Sequence, residues 1–153
     1  MPRPNVFEVE FDHSSERDGY RWRGARLGKA VGGSQIGACV YELPDGERTY
    51  PYHFHNAMEE WLVVLDGTPT LRDPDGEHVL EPGDLVCFPS GPEGAHKISN
   101  QASGVALVAM LSTKAKTAVA VYPDSDKVGI FGAGDDGVLF RRGSAVGYWD
   151  GEA

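Results

Sequence analysis

Two short segments of this sequence carry side chains that bind metal ions. His53 and His55 are separated by one residue, and Glu60 follows in the same segment. His96 lies in the second segment. Imidazoles and a carboxylate suit Fe, Mn, Ni or Zn better than Mg or Ca. The residue types therefore predict a site for one divalent transition metal on these four side chains, with positions left for water or a small-molecule ligand.

Strand periodicity explains how these side chains can meet. Because side chains alternate along a strand, His53 and His55 point to one face. Glu60 begins an alternating run in which Leu62 shares its face, and an antiparallel neighbour can bring this carboxylate opposite the two histidines. His96 completes the set if the strand face that carries it in the second segment also points inward.

Glu59 is the alternative carboxylate. It stands next to Glu60, so the two side chains point to opposite faces of a strand. The six-residue spacing from Glu60 ends on Gly67, whereas the same spacing from Glu59 ends on Asp66. We therefore favour Glu60 as the ligand.

The composition favours an all-β chain. Among 153 residues there are 20 Gly and 10 Pro, which interrupt helices and permit tight turns. Short runs of Val, Leu, Tyr and Phe lie between them and are typical of strands. Strands are predicted over residues 35–43, 50–55, 59–65, 68–72, 78–80, 84–88, 95–100, 105–111 and 118–122.

We expect one domain over residues 1–153. Its barrel core is predicted at about residues 35–115. An N-terminal arm over residues 1–33 contains strand candidates at 6–11 and 20–27, separated by the charged run 13–18. A Gly-rich C-terminal extension occupies residues 123–153, with one further strand predicted at 138–142.

Charge and hydropathy exclude several partners. The net charge of −9 repels nucleic acid and anionic lipid, so neither is an expected partner. No apolar run reaches the roughly 20 residues that a membrane-spanning helix needs. We predict a cytoplasmic protein in which Cys39 and Cys87 are free thiols.

The spacing of both segments resembles the two signature motifs of the cupin superfamily. The first motif continues from the ligands to Gly67. The second is matched by Gly83, Pro89, Gly91, His96 and Asn100. Two spacings depart from the pattern: Gly46 lies one place further from His53 than expected, and the gap from Gly91 to His96 is longer. Both departures fall in turns, where an inserted residue does little harm.

The resemblance to small bacterial single-domain cupins implies a fold and a range of functions. The fold is all-β, a cupin double-stranded β-helix (jelly-roll-like barrel) with N- and C-terminal extensions, and it is frequently a homodimer. The resemblance implies no single activity, and we expect a metal-dependent enzyme, dioxygenase-like or isomerase-like, acting on a small polar organic molecule. The alternative is a non-enzymatic cupin that binds a sugar or another small molecule as a sensor or accessory module.

Tyr41 and Tyr52 are candidate substrate-binding residues. Their hydroxyls can donate hydrogen bonds to a ligand, but a barrel also uses aromatic side chains for ordinary packing. Both interpretations remain open at this point.

Overall fold

A computed structural model describes residues 2–132 and 137–152 of the chain, so residues 133–136 of the predicted extension lie outside the described residues. Most elements within these ranges are short strands, joined by turns. The strands and the one short helix are β1 (His13–Arg17), β2 (Tyr20–Ala25), α1 (Leu27–Ala30), β3 (Ile36–Leu43), β4 (Phe54–His55), β5 (Glu60–Asp66), β6 (Thr70–Asp73), β7 (Gly76–Val79), β8 (Leu85–Phe88), β9 (Lys97–Ser99), β10 (Ala106–Thr113), β11 (Thr117–Tyr122), β12 (Lys127–Gly132) and β13 (Val138–Arg141).

The described strands form three antiparallel sheets. The largest has the order β1-β2-β3-β10-β5-β8, and the other two have the orders β13-β12-β11-β4 and β7-β6-β9. An antiparallel bridge between His53 and His96 joins the two smaller sheets. The arrangement is the predicted all-β, jelly-roll-like fold, with sheets that do not close into a complete barrel.

The core lies between the six-stranded sheet and the sheet that contains β9. Leu62 and Val64 on β5 and Val108 on β10 are almost fully buried, and they pack with Ile98 on β9 and Leu71 on β6. On β5 these buried residues alternate with more exposed ones. Glu60 is in phase with Leu62, so the periodicity that builds the core also turns Glu60 inward.

Gly67 shows why the first motif ends on glycine. Its φ is +76°, a conformation that other residues rarely adopt. A Cβ at this position would also lie 2.8 Å from both the Ala106 Cα and the Val105 carbonyl oxygen. The turn after β5 passes close to the backbone at the start of β10 and therefore requires glycine.

Two predictions for the N-terminal arm were wrong. Residues 6–11 contain a turn and no strand, whereas most of the charged run forms β1, which pairs with β2. Strand β1 is at the edge of its sheet, where one face meets solvent and tolerates polar side chains. In the C-terminal extension, β13 was expected but β12, which contains Gly129, was not.

Candidate metal centre

Three elements bring the predicted ligands together. His53 and His96 pair across the bridge between the two smaller sheets, and β4 places His55 on the same side. Glu60 begins β5 in the facing sheet. The predicted convergence of these four residues is therefore present in the structure.

The imidazole Nε2 atoms surround one carboxylate oxygen. Glu60 Oε2 lies 3.3 Å from His55 Nε2, 3.5 Å from His96 Nε2 and 3.9 Å from His53 Nε2. Ligand atoms of His53, Glu60 and His96 all lie within 4.8 Å of one another, so these three form a group that could hold a metal ion. His55 is close to Glu60 but stands outside that mutually close group.

Backbone carbonyls orient two of the imidazoles. His53 Nδ1 lies 2.9 Å from the Pro51 carbonyl oxygen, and His96 Nδ1 lies 2.9 Å from that of Gly94. Because a carbonyl only accepts, each Nδ1 carries the proton and donates it. Each Nε2 is then unprotonated in the neutral ring and directs its lone pair toward Glu60. Metal-binding histidines in proteins are usually held in this way.

The loop before His96 is tightly packed. Gly94 follows a short 3-10 turn, Pro92–Gly94, and a Cβ on Gly94 would overlap the Pro89 carbonyl oxygen. On the other side of His96, the ring of Phe88 stacks on the imidazole with centroids 3.8 Å apart and planes at 9°. This packing leaves the His96 ring little freedom.

Burial sets the charge of the site. It lowers the pKa of His53, assisted by His96 and His55, to about 4, and it also lowers the pKa of His96. Burial alone would raise the pKa of Glu60, but the neighbouring imidazoles reverse the effect and the pKa lies below its ordinary value. Neutral imidazoles around an ionised carboxylate are the protonation states that metal binding requires.

The fit of a metal ion can be tested on unsatisfied atoms. Glu60 Oε2 and His55 Nδ1 are buried and have no hydrogen-bond partner. Burying such atoms is costly, and they are uncommon in folded proteins. A cation bound by Glu60 Oε2 would satisfy that oxygen, and its nitrogen and oxygen donors match Fe, Mn, Ni or Zn. The residues present therefore fit a transition metal.

A cavity of about 340 Å³ opens beside the four ligands. Tyr41 and Tyr50 line one part of it, with their hydroxyl oxygens 3.2 Å apart. Tyr122 lines another part and stacks on His53, with centroids 5.8 Å apart. The cavity gives a small molecule access to the site.

The other sequence candidates lie in different places. Tyr41 lines the cavity, as a substrate-binding role would require. Tyr52 is not among the lining residues; its ring lies 4.0 Å from the Arg72 guanidinium, on the other side of the strand from His53. The Glu59 carboxylate accepts a hydrogen bond of 2.7 Å from the Trp61 indole and lies away from the cavity. A substrate role for Tyr41 or Tyr52 stays a prediction.

Sequence reasoning missed part of the cavity wall. Tyr122 and Phe131 come from β11 and β12, and Met58 and Met110 also line the cavity. Tyr122 stands two residues after buried Ala120, so the two side chains share the inward face of β11. This signal was already present in the sequence. Phe131 had no such signal because β12 was not predicted.

Asn100, the last residue of the second motif, stabilises a turn. Its side-chain amide donates to the carbonyls of Leu43 and Gly104 at 3.0 and 2.9 Å, and its oxygen accepts from the Ala102 N–H. Asn100 therefore has a structural role in this turn.

Comparisons with known proteins agree with this geometry. A family model described as "Cupin domain" matches residues 39–112. The match and the jelly-roll-like fold confirm the resemblance to the cupin superfamily. Among curated proteins, none matches this sequence.

Two solved structures resemble the chain over almost its whole length. One, from Silicibacter pomeroyi, is named a cupin-superfamily sugar phosphate isomerase; it is 27% identical, with 97% of this chain and 98% of that chain covered and a TM-score of 0.83. The other, from Acidithiobacillus ferrooxidans, is provisionally named a sugar phosphate isomerase; identity is 25%, coverage 93% and 91%, and TM-score 0.83. The polyketide cyclase RemF of Streptomyces resistomycificus, at 20% identity, 74% and 79% coverage and TM-score 0.62, shares the fold.

The described part of the chain contains no helix long and apolar enough to cross a membrane.

Proposed function

We propose that this chain is a metal-dependent enzyme that isomerises a small oxygen-bearing organic molecule. The observation that carries the proposal is the group of three Nε2 atoms around Glu60 Oε2, a buried oxygen without a hydrogen-bond partner. His53, His55, Glu60 and His96 would hold one divalent metal. A metal bound there acts as a Lewis acid that polarises a carbonyl oxygen.

The isomerase assignment draws on two kinds of support. The two similar structures with 25% and 27% identity carry sugar phosphate isomerase names and cover more than nine tenths of this chain. The cavity also offers the hydroxyl pair of Tyr41 and Tyr50, which can donate a hydrogen bond to a substrate oxygen. These residues would orient the substrate, while the walls exclude water from its carbon atoms.

Metal content tests the ligand set. Tag-free protein should contain about one equivalent of Fe, Mn, Ni or Zn by elemental analysis. Glu60→Gln should lose most of it, whereas Glu59→Gln is a matched control on the neighbouring residue and should retain it. If Glu60→Gln keeps the metal, or Glu59→Gln loses it, the ligand assignment is wrong.

The reaction class is tested by proton exchange. An isomerase that acts on a hydroxy-carbonyl compound through an enediol removes a proton from one carbon and returns one to the neighbouring carbon. Incubation of such a substrate in D2O should therefore introduce deuterium beside the carbonyl, detected by NMR. Oxygen uptake that matches product formation would show a dioxygenase-like cupin instead. Tight retention of a ligand with neither exchange nor oxygen uptake would show a binding module.

We infer further that the protein is a cytoplasmic homodimer without a nucleic-acid partner. The net charge of −9 disfavours nucleic acid.

The dimer surface is proposed on the six-stranded sheet. Ile36, Trp61 and Leu85 are exposed there around a groove of about 390 Å³, a surface that a second copy would bury. Sedimentation equilibrium should give a dimer for the native chain and a monomer for Trp61→Lys, with unchanged metal content. A monomeric native chain would contradict this.

A further inference from the structure

The walls of the cavity differ in chemistry from its floor. The floor carries the four candidate ligands. The walls carry mainly apolar surface, contributed by Met58, Met110, Tyr122 and Phe131 together with the rings of Tyr41 and Tyr50. A ligand that reaches the metal must therefore place the rest of its structure against apolar and aromatic side chains.

Cations are scarce around this cavity. Among the described residues that line it, Lys97 is the one Lys or Arg. Lys97 follows His96 on the same extended segment, so its side chain points to the opposite face, where it is in register with Arg72. There Arg72, and to a smaller extent Lys97, lowers the pKa of Asp124, so Lys97 lies near an opposite charge on that face.

A phosphate group would need different side chains in the cavity wall. Phosphate sites use Arg, Lys or a cradle of backbone N–H groups. Two other cations lie near lining residues without being among them. The Lys127 ammonium lies 5.3 Å from the Tyr122 ring centroid, and the charge of Arg26 acts on Tyr50. The residues outside the described ranges cannot supply one, because Met1, 133–136 and Ala153 include no Lys or Arg.

We propose that the cavity takes an unphosphorylated substrate whose two adjacent oxygens chelate the metal and whose apolar or aromatic body lies against Tyr122, Phe131 and Met110. This proposal rests on the proposed function, since it assumes a metal on the four ligands. It narrows the substrate class, because the sugar phosphates in the names of the two similar structures lack such a body. The volume of about 340 Å³ lies at the small end of ligand pockets.

Two hydroxamates distinguish the contribution of the cavity wall to binding affinity from the contribution of the metal. Acetohydroxamate and benzohydroxamate present the same chelating oxygens, but the first carries a methyl group and the second a phenyl ring. Titration calorimetry on the full chain loaded with Zn²⁺ should show benzohydroxamate binding at least roughly tenfold more tightly, because its ring buries more apolar surface. Glycerol 3-phosphate should not displace it.

Variants test which residue of the cavity wall causes the difference in affinity between the two hydroxamates. Phe131→Ala should reduce the difference between the two hydroxamates to roughly threefold or less, with acetohydroxamate affinity unchanged. Phe140→Ala is the matched control, since Phe140 lies exposed on β13 and does not line the cavity; it should keep the full difference. Phe131→Leu serves if the alanine variant does not fold, and it should give an intermediate difference. Lys97→Met should leave both affinities unchanged.

The outcomes distinguish this inference from the proposed function. A chain that retains none of Fe, Mn, Ni and Zn overturns both. A chain that binds Zn²⁺ but binds both hydroxamates equally, or binds neither, leaves the metal centre in place and overturns the inference about the substrate. Displacement of benzohydroxamate by glycerol 3-phosphate, or its dependence on Lys97, would also overturn it in favour of a phosphorylated substrate.

Discussion

Acid should destabilise the metal-free protein because His53 is buried in its neutral form. The pKa of His53 is about 4 in the folded chain, against an ordinary value of 6.5. The unfolded chain therefore takes up a proton on this residue at a higher pH than the folded chain does. Stability is complete above pH 6.5 and is lost as the pH falls from 6.5 toward 4.

The size of the loss follows from the two values. At about 1.36 kcal/mol per pH unit, the span from 6.5 to about 4 limits the contribution of His53 to roughly 3 kcal/mol. At pH 5 about 2 kcal/mol of this is already lost. His96, whose pKa burial also lowers, adds to the loss in the same direction. Glu60 acts at lower pH, because a carboxylate with a lowered pKa loses its contribution only below about 4.5.

Urea unfolding at pH 7.0, 6.0 and 5.0 in EDTA, followed by tryptophan fluorescence, measures this loss. We expect the free energy of unfolding to fall by at least about 2 kcal/mol between pH 7 and pH 5. His53→Gln should remove most of that dependence because glutamine does not titrate. A native chain that loses less than about 0.5 kcal/mol, or a His53→Gln variant that loses as much as the native chain, would refute the assignment of a buried neutral His53.

Three further substitutions test the supports of the site. Gly67→Ala should cost about 2–4 kcal/mol of unfolding free energy, because the positive φ and the backbone of Ala106 both exclude a Cβ; a cost below 1 kcal/mol in denaturant titration would contradict this. Asn100→Ala should cost roughly 3 kcal/mol by leaving the Leu43 and Gly104 carbonyls without a donor, yet the variant should still bind metal when folded. Arg72→Met should cost less than about 1 kcal/mol, because its pair with Asp124 is exposed to solvent; a larger loss, or a loss of metal, would show that this pair supports the site.

The positions of the candidate ligands were predictable because they depend on short-range regularities. The alternation that puts His53 and His55 on one face also puts Glu60 in phase with buried Leu62, and it separates Glu60 from Glu59. No distant information is needed for either conclusion. The glycines and prolines of the turns mark the ends of the strands, so the element order in the core was largely predictable as well.

The cavity wall was less accessible to sequence reasoning. Tyr122 and Phe131 reach the site only because β11 pairs with β4 on one side and β12 on the other, a long-range contact that periodicity does not specify. Strand β1 failed for a related reason. Its charged residues are typical of a loop. They form a strand because β2 supplies hydrogen bonds along one edge, and the polar face then meets solvent.

Metal binding at this site should be coupled to folding. The fold keeps two imidazoles neutral by burial and leaves Glu60 Oε2 buried without a hydrogen-bond partner, and an unsatisfied buried acceptor costs roughly 1–3 kcal/mol. A bound metal ion would remove this cost, so we expect it to bind the folded chain far better than the unfolded one. It should therefore raise the unfolding free energy in proportion to the logarithm of its free concentration. Because protons compete for the same nitrogens, this gain should be larger at pH 7 than at pH 5. A gain independent of pH would mean that the metal binds away from the histidines.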